Sequence, residues 1–303
     1  MKRVVVLELP GMLETSVSLS RDVIRTANRI AEALHQPVPF ALETVSQPGS
    51  SAVMPDLLIV PGLGCSDASG VATTLESPLG HAAVESISAA YAGGAVVASS
   101  CAGVALLAEA GILDGRQAAT SWFLRPALAR RYPRVRFVAD AIIVDDGQCV
   151  TGGAAMAQGE VMLALTLRHA GAEIADLCAR YLLLDNRRSQ QPYISISALA
   201  VADGLLAKAD AWVRDNLQRA CSMSELADAI GTTQWTLARR LKRTFGISTS
   251  RFVQQIRAEE ASRRLAQGAR FDEAAYAVGF ADPSALRRLL GRLQAGFAKP
   301  RRT

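Results

Sequence analysis

The chain predicts two folds in series, a three-layer α/β domain with a mostly parallel sheet over residues 1–186 and an all-helical domain over residues 207–303. Three observations carry this. Short apolar runs alternate with helical stretches through the first half, which is the order of right-handed crossovers in a parallel sheet covered on both faces. A single helix-turn-helix pattern occurs twice between Ser222 and Leu293. Charge is also divided: residues 205–303 hold 18 Lys and Arg against 9 Asp and Glu, a net of +9, whereas residues 1–204 hold 15 against 19, a net of −4.

Taken in order, the run VVVLELP ends at Pro10-Gly11 and reads as a buried strand. Val17 to Leu34 follow a helical period with Val23, Ile24, Ala27 and Ile30 inward. Phe40 to Val45 is a second strand, and PDLLIVPG at 55–62 is a third, stopped by its own Pro-Gly. A helix near 79–92 leads to a fourth strand over Gly94–Ser99 and a helix over Ala102–Ala110, closed by Gly111. Between Val135 and Val150 two short runs with an Asp145-Asp146-Gly147 turn predict a hairpin added to the sheet. Two helices follow, about 155–170 and 172–184. The polar stretch DNRRSQQP then breaks any helix, Tyr193 to Ala200 fits neither helix nor strand, and the linker is placed at 187–206.

In the last third, Ser224 is expected to cap a helix with Leu226, Ala227 and Ile230 on one face, Gly231 to end it and Thr233 to cap the next. Leu237 and Leu241 point inward, which leaves Gln234, Trp235, Thr236, Arg239, Arg240, Lys242 and Arg243 on the outer arc. A long amphipathic helix carries Phe252, Ile256 and Leu265. The second copy has Ala274, Ala275 and Val278 as its stripe, Gly279 as its turn, and Pro283-Ser284 opening a helix with Arg287, Arg288 and Arg292.

A basic face of this kind takes phosphate by counterion release, without selecting sequence. Selection falls to side chains at the front of each outer helix, where a major groove admits them. The candidate DNA-binding residues are Thr233, Gln234, Trp235, Arg239, Arg240 and Arg243 in the first copy, with Ser284, Arg287 and Arg288 in the second. Arg239 suits a bidentate contact to guanine and Gln234 suits adenine. The competing reading of an arginine run is a solvated helix face. Repetition of the pattern in register favours double-stranded DNA as the partner.

Five cysteines (Cys65, Cys101, Cys149, Cys178, Cys221) and three histidines are widely spaced, which suggests neither a disulfide framework nor a metal site. No apolar run reaches membrane-span length, and Glu8 and Pro10 interrupt the N-terminal run too early for a signal peptide. A cytoplasmic protein with no membrane partner is expected. The run AVVASSCAG puts Cys101 at a tight corner between strand and helix, where the helix dipole is expected to lower its thiol pKa. The alternative is a packed corner with Cys101 as a small buried hydrophobe.

Two resemblances follow from these residues. Gly231, Thr233, Leu237 and Arg239, then Gly246, then Gly279-Phe280 resemble the signature of the AraC family of transcription regulators. Two departures are Gly291 inside the last helix, expected to cost roughly 1 kcal/mol, and the tail GFAKPRRT in place of the usual Ser-Pro-x-x-Tyr-Arg. Pro61-Gly62, Cys101-x-Gly103, the run LAEAGILDG at 107–115 and Thr120-x-Trp122 resemble the DJ-1/PfpI superfamily, with its flavodoxin-like, class I glutamine amidotransferase-like fold. That resemblance implies a sensor domain whose pocket is lined by Cys101, Gly62, Ser121 and Trp122, with Glu14 as the acidic group after the first strand. Related regulators carry a histidine where this chain has Ser121, which argues against catalysis.

The expected function is a sequence-specific transcription regulator, dimeric, with two recognition helices entering successive major-groove segments about 34 Å apart. No cofactor is implied, and the family's known signals point to a small nitrogenous effector such as an amino acid or a quaternary amine. The rival reading is a Cys-dependent amidase or glyoxalase with a basic, DNA-associating tail. A third is a ligand-free repressor whose first domain only dimerises.

Overall fold

A computed structural model of the chain describes residues 1–51, 53–139, 141–184, 190, 203–219, 222–245 and 247–294. It divides into two units, Met1–Gln190 and Gln191–Thr303. Most of the linker stretch (Tyr193–Ala200 included), Cys221, Gly246, the tail and the Arg292 side chain lie outside the described residues.

The first unit is built on a six-stranded sheet. Strands β1 (Lys2–Leu7), β2 (Phe40–Val45), β3 (Leu57–Val60), β4 (Val96–Ser100) and β8 (Cys149–Gly152) are parallel, and β7 (Ile143–Asp146) closes one edge antiparallel, in the order β2-β1-β3-β4-β8-β7. Val4, Val5 and Val6 pair with Leu57, Leu58 and Ile59, and Leu57 to Val60 pair with Val96 to Ser99. Side chains alternate across the sheet. Val4, Val6, Leu57, Ile59, Ala98 and Val150 pack beneath α1 (Glu14–Ala33), α6 (Gln158–Ala170) and α7 (Ala172–Tyr181). Val5, Leu7, Leu58, Val60 and Val97 pack on the other face with α3 (Pro78–Ala92) and α4 (Val104–Glu109). Both faces are covered, so the strands read as unbroken apolar runs.

Several elements differ from the sequence expectation. A helix α2 (Ala68–Glu76) shows only Val71 and Leu75 as its inward pair, too few to stand out as a period. The helix α5 (Arg125–Arg131) buries only Leu128. The hairpin is β7–β8, and β8 is itself a central strand, parallel to β4. The run before it, β6 (Arg136–Phe137), pairs instead with β5 (Gln117–Ala118) in a separate two-stranded sheet.

The second unit is helical: α8 (Gly204–Asp215), α9 (Met223–Ala229), α10 (Gln234–Phe245), α11 (Thr249–Ala266), α12 (Phe271–Ala277) and α13 (Pro283–Gln294). Ser222, not Ser224, caps α9. Its hydroxyl accepts from the Glu225 N–H at 3.1 Å while the Glu225 carboxylate accepts from the Ser222 N–H at 3.2 Å, a reciprocal capping box. The turn glycines Gly231 and Gly279 have φ of +70° and +81°. At Gly279 a Cβ would also stand 2.2 Å from the Leu217 carbonyl oxygen. Helix α11 departs from the expected single stripe, because Phe252, Val253, Gln255, Ile256, Ala258, Glu260 and Ala261 are all buried. It contacts α9's neighbours on one side and the second copy on the other, packing against α8, α10, α12 and α13. Among the described residues no helix is long and apolar enough to cross a membrane.

Candidate nucleic-acid interface and elbow site

The first outer helix, α10, is set by Thr233, whose hydroxyl oxygen accepts from the Thr236 N–H at 3.2 Å. Leu237, Leu241 and Phe245 are buried at one-turn intervals, and that stripe turns Gln234, Trp235, Arg239, Lys242 and Arg243 to solvent. Trp235 is 66% exposed, and the Arg239 guanidinium lies 4.4 Å over its ring. That stack orders both side chains by cation–π attraction. Among the described residues Arg239 has no carboxylate partner. Arg240, placed with this set from the sequence, is committed elsewhere. Its Nε donates to Asp203 Oδ2 at 2.6 Å. Burial alone would raise the Asp203 carboxyl, but Arg240 and the N–H groups of Leu206 and Leu205 hold it below the usual carboxylate range. Asp203 thereby caps α8 and pins α10 with one side chain.

The second outer helix, α13, buries Leu286 and Leu289 and exposes Arg287 and Arg288. Here the polar groups satisfy one another. Asp282 Oδ1 accepts from the Ser284 N–H at 2.8 Å and its other oxygen takes the Ser284 hydroxyl. Arg288 donates to the Ser284 oxygen at 2.9 Å and lies 3.9 Å from Asp282. Arg287 stacks 4.9 Å over Phe271 of α12.

In the first unit, β4 ends at Cys101, which has φ of +54° and opens a one-turn 3-10 helix over Cys101–Gly103. Gly103 is required there, because a Cβ would stand 2.4 Å from the Pro61 carbonyl oxygen and 2.7 Å from Ser99 Oγ. Gly62 lies against the same corner, its missing Cβ 3.3 Å from that of Cys101. The Thr120 hydroxyl donates to the Cys101 carbonyl at 2.9 Å and brings Ser121 beside the thiol. Ser121 is fully buried and its hydroxyl forms no geometrically complete hydrogen bond. Cys101 is only 4% exposed. Burial pushes its thiol up, against smaller opposing effects of the Ser121 hydroxyl and the Ala102 backbone. The Cys101 thiol therefore lies above its ordinary value and not below it, as its place at a helix terminus predicts, because desolvation of a thiolate outweighs one short turn's dipole.

Gly62, Cys101 and Ser121 thus come together, and Trp122 is half-buried beside them. Glu14 does not join them. It is exposed at the start of α1 and lines an open cleft of about 800 Å³ with Glu8, Met12 and Arg21. The α1 side chain that reaches the elbow is Ser16, fully buried, which donates to the Ala155 carbonyl at 3.4 Å. Two contacts escaped the sequence reading, Asp203 on Arg240 and Gln190 on the Thr120–Trp122 turn. Both acceptor sets are formed only by tertiary packing and leave no local pattern. None of the groups that perturb the Cys101 thiol is a histidine. His169 lies instead among Arg168, Lys2 and Asp56, where burial lowers its pKa. Among the described residues no three His, Cys, Asp or Glu side chains gather as a metal site.

Residues 50–167 match the DJ-1/PfpI family and residues 226–294 match a helix-turn-helix domain. The chain is similar to the HTH-type transcriptional regulator ArgR of Pseudomonas aeruginosa, 24% identical over 85% of this chain and 79% of that protein. It is also similar to the regulator CdhR of the same organism, 26% identical over 60% of this chain and 55% of CdhR. Among solved structures, a ThiJ/PfpI family protein from Pseudomonas syringae shares the fold, with a TM-score of 0.53 and 16% identity over 68% of this chain and 86% of that one. A parallel α/β unit with a cysteine elbow followed by paired helix-turn-helix units defines a two-domain DNA-binding regulator. Residues 50–167 thus carry a DJ-1/PfpI domain and residues 226–294 a helix-turn-helix domain of AraC type.

Proposed function

We propose that the chain regulates transcription by reading DNA mainly through Gln234, Trp235 and Arg239, and that its first unit senses a small nitrogenous metabolite and dimerises. One observation carries the DNA assignment. Arg239 is held over an exposed Trp235 at the front of a basic helix, with no carboxylate partner among the described residues. An arginine fixed in place with unspent donors loses less freedom on contact with guanine O6 and N7 than a mobile one. Thr233 shapes the helix start, Arg243 contributes to the phosphate-facing charge, and Arg287 and Arg288 are the second helix's cations. The named relatives ArgR and CdhR are regulators, which supports the same reading.

Cys101, Gly62, Ser121 and Trp122 are proposed to border the metabolite site. The positive φ of Cys101 favours a functional corner over plain packing, because such strain persists where surrounding structure over-determines it. Hydrolysis is disfavoured: a nucleophilic thiol needs a base, and Cys101 has a raised pKa and no histidine among the groups acting on it. Purified protein and its Cys101→Ala variant are expected to show no turnover of glyoxal or simple amides. Cys101-dependent turnover would restore the enzyme reading.

The DNA assignment is tested by selecting bound fragments from a random pool with the full chain. A defined site supports it. Binding that depends on salt but selects no sequence reduces the basic unit to an electrostatic anchor.

A further inference from the structure

Gln190 is the last residue of the first unit and is 1% exposed. Among the described residues its side-chain amide is held by backbone groups. Nε2 donates to the Ala141 carbonyl at 2.8 Å and to the Thr120 carbonyl at 3.1 Å, while Oε1 accepts from the Trp122 N–H at 3.2 Å. Two carbonyls meet both N–H donors of the primary amide, and one N–H meets its carbonyl oxygen. Space for the group is made by Gly153, where a Cβ would stand 2.1 Å from Nε2, 2.5 Å from the amide carbon and 2.5 Å from the Ala141 oxygen. The turn that holds the amide is the one that carries Ser121, whose buried hydroxyl is unsatisfied beside Cys101.

A cradle of this kind selects by hydrogen-bond polarity. A carboxylate would set its oxygens against two carbonyls. A quaternary ammonium has no N–H to donate, and leaves the Trp122 N–H unpaired as well. An apolar group leaves all three backbone groups buried without partners.

We propose that Thr120, Ala141, Trp122 and Gly153 form a recognition site for a primary carboxamide or urea group, occupied in this structure by the chain's own Gln190 and taken by a small-molecule amide that displaces it. The proposal deepens the sensing role given above and rests on it. It narrows the effector to a carboxamide or ureido compound and excludes simple quaternary amines from this cradle. An intramolecular occupant lowers apparent affinity by the fraction of time the site is filled, so removing Gln190 strengthens binding of an external amide.

The test uses the full chain as wild type, Gln190→Ala, Gln190→Leu and Gly153→Ala, followed by thermal shift and calorimetry. The probes are acetamide, urea and L-glutamine, against acetate, L-glutamate and glycine betaine. Acetamide and urea are expected to raise the melting temperature of Gln190→Ala more than that of wild type, with an apparent Kd on the order of tenfold lower. Gln190→Leu and Gly153→Ala, which fill the cradle, are expected to show no such gain. Because the readout for Gln190→Ala is rescue by an added amide, a destabilised variant still reports. If no amide binds Gln190→Ala better than wild type, Gln190 is a structural clasp and the proposal is wrong. If betaine or L-glutamate stabilises wild type and Gln190→Ala equally while amides do nothing, the amide cradle is wrong and the sensing role survives. Stabilisation by no probe at all likewise overturns the cradle, and removes support from the sensing role too.

Discussion

The two helix-turn-helix copies share a buried stripe and a positive-φ glycine at the turn, and Arg287 lies over Phe271 much as Arg239 lies over Trp235, yet Arg239 and Arg288 are held differently. In the first, Arg239 rests on the face of Trp235 and keeps its donors. In the second, Arg288 is bonded to Ser284, and Ser284 in turn to Asp282. An aromatic platform orients a guanidinium without using its N–H groups, whereas a hydroxyl and a carboxylate orient it by consuming them. Two helices of similar charge therefore need not read bases equally. We propose that Arg239 selects bases and that Arg288 adds phosphate affinity.

Arg239→Ala carries the largest expected effect, a loss of about 1–3 kcal/mol at a single base position with little change elsewhere in the site. Binding to a set of singly substituted DNA sites would show it, and a uniform loss across the set would contradict it. Trp235→Ala leaves Arg239 in place but removes its platform, for an expected loss of about 0.5–1 kcal/mol on the same base position. A different position would separate the pair's roles. In the second copy, Asp282→Asn removes a carboxylate beside Ser284 and Arg288, so DNA affinity should rise through relief of repulsion with the phosphates, at a nearly unchanged salt slope. An affinity that falls would mean that Asp282 serves chiefly as the helix start. The smallest effect belongs to Gly291, exposed in α13 with nothing within 4 Å of an added Cβ. Gly291→Ala is expected to stabilise that helix by roughly 0.5–1 kcal/mol, measured by denaturant unfolding.

The first unit offers a further check through its buried thiols. Burial pushes Cys149 and Cys178 up to about 11. A raised folded pKa means that this contribution is fully present below the ordinary thiol value of 9.0. It is lost as pH rises from there towards 11, because the unfolded thiols ionise first. Unfolding midpoints should fall across that window, and fall less in Cys178→Ala.

Period and turn chemistry made both folds legible from the residues alone. Val4 to Leu7 and Leu57 to Val60 announce strands covered on both faces, and Gly231 and Gly279 announce the turns. Small helices with one or two inward residues, such as α2 and α5, leave too weak a period. At the elbow, the corner at Cys101 was legible from the small residues Ala102 and Gly103 that follow it, and the close approach of Gly103 to Pro61 is the reason a residue without a Cβ stands there. Glu14 was not placed correctly from its type and position, because two residues of register along α1 decide between an exposed Glu14 and a buried Ser16. Arg240 looked like its neighbours until the fold brought Asp203, 37 residues away, against it. Gln190 sits in a stretch whose polarity reads as linker, and only packing against Gly153 reveals its amide as buried.

We propose that the first recognition helix selects and the second anchors. Binding of wild type, Arg239→Ala and Arg288→Ala to the selected site and its single-base variants, titrated across salt, tests it most directly. Arg239→Ala is expected to flatten discrimination at one position at nearly constant salt slope, while Arg288→Ala is expected to lower affinity uniformly and reduce the slope by about one. Equal loss of discrimination in both variants, or a flattened position in Arg288→Ala alone, would contradict it.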